Sequence, residues 1–177
     1  MTVLTLLLVV ILLLQNVSSQ LPSLSSFFMS SNIKCPSSPA SMHAGCEVTI
    51  TFDNTCDAVY NEMMSRVNGQ YNNWHDPHNN GTYIITESSS KEISLDRKTG
   101  DGSGYTDKVL YTLTPSSTNG CDVTGCSESQ VFSIGDYGTN YCNVRNLYAA
   151  PFVSTTLTYT ESVLKCTQST PSACSTV

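Results

Sequence analysis

The sequence predicts an α+β domain: one amphipathic helix packed across an antiparallel sheet of about five or six strands, stapled by disulfides. Three observations carry this. Cys56, Val59, Tyr60, Met63, Met64 and Val67 recur at helical spacing, a single apolar stripe along one face. Short segments of alternating or β-branched character lie before and after it, separated by turn residues. The chain has eight cysteines, and an even count in an exported chain reads as four disulfides.

The chain opens with an unbroken apolar run over residues 6–14, too short to span a bilayer, which takes about 20 residues. Val17-Ser18-Ser19 follows it with small residues suited to cleavage, so 1–19 reads as a secretory signal peptide. Residues 20–45 are rich in Ser and Pro and read as an extended N-terminal arm tied down at Cys35, with Phe27-Phe28-Met29 as an apolar triplet. The α+β domain is expected over 46–166, and 167–177 reads as a polar C-terminal tail. It lacks the hydrophobic stretch that lipid-anchor attachment requires.

Within the domain, residues 47–52 alternate strictly, which predicts a half-buried strand with Val48, Ile50 and Phe52 on one face. Asn54 reads as the N-cap of the helix, Asp57 complements its dipole, and Asn68-Gly69 supplies a left-handed stop. Strand signals then follow at 83–86, 92–95, 108–114, 131–134, 140–148 and 155–164, the last with Leu157, Tyr159 and Val163 on one face. Ser88-Ser89-Ser90 reads as a turn, 97–105 as a glycine-rich hairpin loop, and 116–127 as a loop braced by Cys121 and Cys126. Proximity alone suggests the pairs Cys121–Cys126 and Cys166–Cys174. The short connections make the later strands antiparallel, and a helix with one apolar face must then lie across the sheet.

This order of strand, helix and several antiparallel strands resembles the cystatin architecture, a curved antiparallel sheet wrapped on one helix. The resemblance is one of architecture. The Gln-x-Val-x-Gly wedge of inhibitory cystatins is absent, and in Gln130-Val131-Phe132-Ser133-Ile134-Gly135 the Val and Gly fall at the wrong offsets. No inhibitor activity is carried over.

Composition excludes several partners. Charged residues are 12% of the chain, about half the usual quarter. The net charge is −6 with only 8 basic residues, which argues against nucleic acid and against an anionic membrane surface. No cofactor motif is present: the glycines of 97–105 lack the Gly-Lys-Ser/Thr of a phosphate loop. Asp96, Asp101 and Asp107 do not recur at the spacing of a calcium loop.

The densest candidate for chemistry is the run from Trp74 to Tyr83, with the single tryptophan, His75, Asp76, His78 and the acceptor Asn80-Gly81-Thr82. Two imidazoles and a carboxylate can converge on an ion in a turn, with Asp101, Asp107 or His43 as a further ligand. The same residues also make a capped turn, since Asp-Pro initiates turns and Asn-Gly completes them. Pro77 holds Asp76 out of the helical region, and no metal is assigned. No nucleophile elbow is present. Glu87, Glu92, Glu128 and Asp136 are available for carboxylate chemistry, but nothing in the sequence pairs them. The resulting expectation is a secreted, disulfide-stabilised domain that binds an extracellular protein or glycan. Exposed Trp74, Tyr71 and Tyr83 would be its contacts, and Asn80 would be glycosylated. The alternative is an extracellular hydrolase, metal-assisted or not, centred on His75, Asp76 and His78.

Overall fold

The computed structural model describes residues 33–70, 74–100, 102–149 and 156–175. The expected signal peptide and arm residues up to 32, Tyr71, Asp101 and the first residue of the expected 155–164 strand lie outside the described residues. The architecture is α+β: two helices on a six-stranded antiparallel sheet, with four disulfides. The strands are β1 (Gly45–Phe52), β2 (Thr82–Ser89), β3 (Glu92–Lys98), β4 (Thr106–Pro115), β5 (Cys121–Ser129) and β6 (Tyr159–Cys166). The helices are α1 (Cys56–Gly69) and α2 (Thr139–Arg145). A 3₁₀ turn, Pro171–Ser175, follows β6.

Alternation sets the sheet faces. Val48, Ile50 and Phe52 of β1 point into the core, with Ile93 and Leu95 of β3 and Val109, Tyr111 and Leu113 of β4. Onto this face α1 lays Val59, Met63 and Val67, while Tyr60 and Met64 pack at its margin. Each such side chain, taken fully from water, contributes about 1.5–3 kcal/mol. Thr55, not Asn54, caps α1: its hydroxyl accepts the Ala58 N–H at 3.3 Å. Asn54 is instead drawn to the segment before β6, accepting the Thr158 N–H at 2.9 Å. Nor does α1 end on a left-handed glycine. Gln70 follows in right-handed geometry, and its amide grips both the N–H and the C=O of Tyr83, at 2.7 and 2.5 Å, as a neighbouring strand would.

The sheet order is β2-β3-β4-β5-β1-β6. β1 therefore lies between β5 and β6 and is not paired with β2, the strand that follows α1. Several expected elements differ. Residues 116–127 were expected to form a loop, yet β5 fills most of that span and sits centrally, paired with both β4 and β1. The 131–134 segment is not a strand but an exposed loop, and 140–148 holds α2 instead of a strand. The hairpin loop begins after Lys98, so Arg97 lies inside β3 and is buried. The β2–β3 turn is at Ser90-Lys91. Val163 is 42% exposed, because β6 is an edge strand with little covering it.

The disulfides are Cys35–Cys126, Cys46–Cys166, Cys56–Cys121 and Cys142–Cys174. Neither pair suggested by proximity forms. Cys121 and Cys126 belong to one strand, where five residues span roughly 16 Å and an odd separation points the side chains to opposite faces. Cys126 takes Cys35, which lays residues 34–37 along the outer sheet face beside Leu110. Cys174 reaches back to α2, so the C-terminal segment is buttoned to the domain.

Gly125 of β5 lets α2 approach the sheet. A Cβ there would stand 2.5 Å from Val144 Cγ1 and 3.3 Å from Val48 Cγ2. Gly125→Val is expected to destabilise the protein by about 1–3 kcal/mol through overpacking. Chemical denaturation would measure it, and an unchanged midpoint would contradict this packing.

Candidate functional site

The run from Trp74 to Tyr83 is folded around one carboxylate. Pro77 and the two residues with positive φ, Asn79 (46°) and Asn80 (50°), bend the chain into a turn. Asp76 Oδ1 accepts the His78 N–H and the Asn146 Nδ2 amide, both at 2.8 Å. Its Oδ2 accepts the Tyr83 hydroxyl at 2.8 Å and the Arg97 guanidinium at 2.8 and 3.0 Å. The same guanidinium donates to the His78 carbonyl and to Asn79 Oδ1. A side chain at Gly81 would collide with it, which is why glycine follows Asn80. Burial works against the Arg97 charge, yet the Asp76 carboxylate holds its pKa above the ordinary value. Burial also pushes the Tyr83 phenol well up, with the Asp76 charge adding to it.

The alternative reading of this run as an ion site does not find its ligands together among the described residues. His75 is exposed, whereas Asp76 and His78 are buried. His78 Nδ1 donates to the Ala173 carbonyl at 2.8 Å and Nε2 lies 3.0 Å from the Thr139 hydroxyl, so both ring nitrogens are engaged. The one group of potential ligands found among the described residues is Cys35, Glu47 and Glu128, and Cys35 is spent in a disulfide. Glu128 instead pairs with His43 at 2.8 Å, and burial raises its carboxyl above the ordinary range against the pull of that partner.

Two of the three aromatic contacts expected at the surface, Trp74 and Tyr83, are placed inside. Trp74 is 7% exposed and Tyr83 1%. Their rings pack at 6.0 Å, with the Arg97 guanidinium 5.8 Å from the Tyr83 centroid. An aromatic ring that must satisfy a buried hydroxyl or fill the end of a helix is unavailable to a ligand. Asn80 is exposed at the tip of the turn.

The exposed aromatic surface lies elsewhere. A cleft of about 490 Å³ opens between the 99–105 hairpin loop and the loop from β5 to α2. Its floor includes His78, Asp107, Ser129 and Thr139, and its walls include Tyr105, Phe132 and Tyr137. These rings are 53%, 67% and 87% exposed. The loop is held firmly although its side chains face water. Ser133 bonds the Met42–Ala44 segment through both its N–H and its hydroxyl. Asp136 accepts the N–H groups of Gly138 and Asn140 and the Asn140 amide. Tyr137 is held at φ 53°, a backbone region that a bulky residue rarely adopts. The sequence signal was available: the run from Val131 to Tyr137 carries four large apolar side chains but lacks the strict alternation of a half-buried strand.

Polar groups beneath the cleft form a second relay of hydrogen bonds. Asn143 on α2 donates to Asp107 Oδ2 at 2.8 Å and to the Ser127 hydroxyl at 3.0 Å. Ser127 donates to Asn140, whose amide reaches Ser129 and Asp136. The floor is thus built before any ligand arrives.

Removing the Asp76 carboxylate strands a buried guanidinium. Asp76→Ala is expected to cost about 3–5 kcal/mol, read by urea denaturation of the purified domain; a loss below about 1 kcal/mol would remove the carboxylate from its central place. No protein-family model, no curated protein and no solved structure matches the chain.

Proposed function

We propose that the chain is a secreted binding domain for an extracellular protein or glycan, with the cleft between the 99–105 loop and the 130–138 loop as its contact surface. One observation carries the reading. Ten large hydrophobic side chains are exposed among the described residues, and five of them, Tyr105, Val131, Phe132, Ile134 and Tyr137, belong to these two loops. Exposed apolar patches of this kind mark interaction sites, and a braced loop loses little freedom when a partner settles on it. The four disulfides suit an oxidising compartment. No helix among the described residues is long and apolar enough to cross a membrane. The cystatin-like likeness contributes architecture only, a helix across an antiparallel sheet.

The hydrolase reading has less support. Both oxygens of Asp76 and both ring nitrogens of His78 are occupied by structural partners, which leaves exposed His75 apart from the other two groups of that reading.

Two outcomes test the proposal. Produced in a eukaryotic secretory pathway, the protein is expected to carry a glycan on Asn80; a mass unchanged by amidase treatment would count against it. Phe132→Ser with Tyr137→Ser is expected to leave the melting temperature within about a degree of the parent, since both side chains are exposed. On an array of purified extracellular proteins and immobilised glycans, that double variant should lose at least tenfold in binding to whatever the parent retains. Equal binding by both would place the contact surface elsewhere.

A further inference from the structure

We infer that the cleft receives a basic side chain, lysine or arginine, of an extracellular protein. This rests on the cleft being the contact surface, and it goes further by choosing protein over glycan and naming the group that enters.

The choice follows from the charges around the cleft. Asp107 and Asp136 line it, and no lysine or arginine does. The two carboxylates are not alike. Asp136 is consumed by backbone and amide donors at the start of α2. Asp107, 4% exposed on the floor, accepts a bond from the neutral Asn143 amide and has no ion pair among the described residues. The nearest buried cation is Arg97, but its bonds go to Asp76, the His78 carbonyl and Asn79. Asp107 lies across from Arg97 on the neighbouring strand and its charge also acts on that guanidinium, but one cation is then shared by two carboxylates, so Asp76, Arg97 and Asp107 together carry one net negative charge in a place where water screens poorly.

The walls suit the same ligand. Tyr105, Phe132 and Tyr137 offer aromatic faces, and such faces attract ammonium and guanidinium groups through the ring quadrupole. A neutral sugar would stack on the rings but gain nothing from the charge. A sulfated or sialylated glycan would be repelled, and the chain's net charge of −6 adds to that. A long basic side chain satisfies both parts: its methylenes lie along the rings and its charged end reaches the floor.

The test uses the full domain and three short capped peptides, Gly-Lys-Gly, Gly-Arg-Gly and Gly-norleucine-Gly, followed by chemical-shift titration. The expected result is saturable shifts at residues of the two loops with the lysine or arginine peptide, and at least tenfold weaker binding of the norleucine peptide. Asp107→Asn should weaken the basic peptides by at least tenfold. Tyr137→Ser, which lies outside the buried hydrogen bonds, should weaken them by about threefold or more even if Asp107→Asn fails to fold. Asp57→Asn, an exposed carboxylate on α1, should change nothing. Equal effects of Asp57→Asn and Asp107→Asn would mean diffuse charge attraction and overturn the inference. So would shifts away from the two loops, or free tetramethylammonium binding as tightly as the peptides, which would make the ligand a small amine. If array partners are lost with Phe132→Ser and Tyr137→Ser but are indifferent to Asp107→Asn, the binding surface stands and the basic side chain falls. If neither change matters, both fall.

Discussion

The Asp76–Arg97 pair is the interaction on which the rest of the structure depends. Both side chains are wholly buried, and an unpaired charge there would be costly. The carboxylate is held by donors from the 76–78 turn, β2, β3 and the end of α2. The first three follow one another in the chain and the last lies 70 residues from Asp76, so one acidic group fixes the turn and its two strands against α2. Arg66 performs a related task at the same end of α2. It leaves α1, is buried, and donates to the carbonyls of Asn146 and Ala149 at 2.8 and 2.6 Å, capping a helix to which it does not belong. Helix ends leave unsatisfied carbonyls, and a guanidinium with several donors can serve more than one.

This polar interior explains what was legible in the sequence. β1 and α1 were readable because their buried faces are apolar and periodic. α2 was not. Its inward positions include Asn140 and Asn143, with Asn146 just beyond, and these amides bind Ser127, Asp107 and Asp76. Hydrophobic periodicity cannot register a short helix in which buried Asn140 and Asn143 interrupt buried Tyr141, Cys142 and Val144. β5 was missed for a similar reason. Asp122, Thr124, Gly125, Ser127, Glu128 and Ser129 look like loop residues, yet the strand is central because both its backbone edges are paired. Its Gly125 is small because a helix lies on it, and that reason is visible only in three dimensions.

The candidate site divides along the same line. The Trp74 to Tyr83 run was marked as the densest candidate for chemistry, but Trp74, Asp76, His78 and Tyr83 are buried and serve the fold, while His75 and Asn80 are exposed. No local pattern could have shown that Arg97, read as loop, would enter β3 and claim Asp76. The 131–134 run carried a usable signal and was assigned to a strand. Its apolar residues lacked cross-strand partners, and exposure rather than pairing was their fate. The floor residue Asp107 was weighed as a metal ligand, whereas it accepts the Asn143 amide and lies between Arg97 and Ser129 in the sheet.

The place of β1 has a consequence for how the chain acquires its fold. β1 is the first strand made, and it lies between β5 and β6, the last two. Cys46 must wait 120 residues for Cys166. Until β5 has been made, Val48, Ile50 and Phe52 have no neighbouring strand to join, while β2, β3 and β4 can form successive hairpins at once. Long-range pairings of this kind are slow, and unpaired apolar strands invite association with other chains. The hairpins of β2, β3 and β4 can therefore form first, and β1 and β6 are the last strands able to complete the sheet.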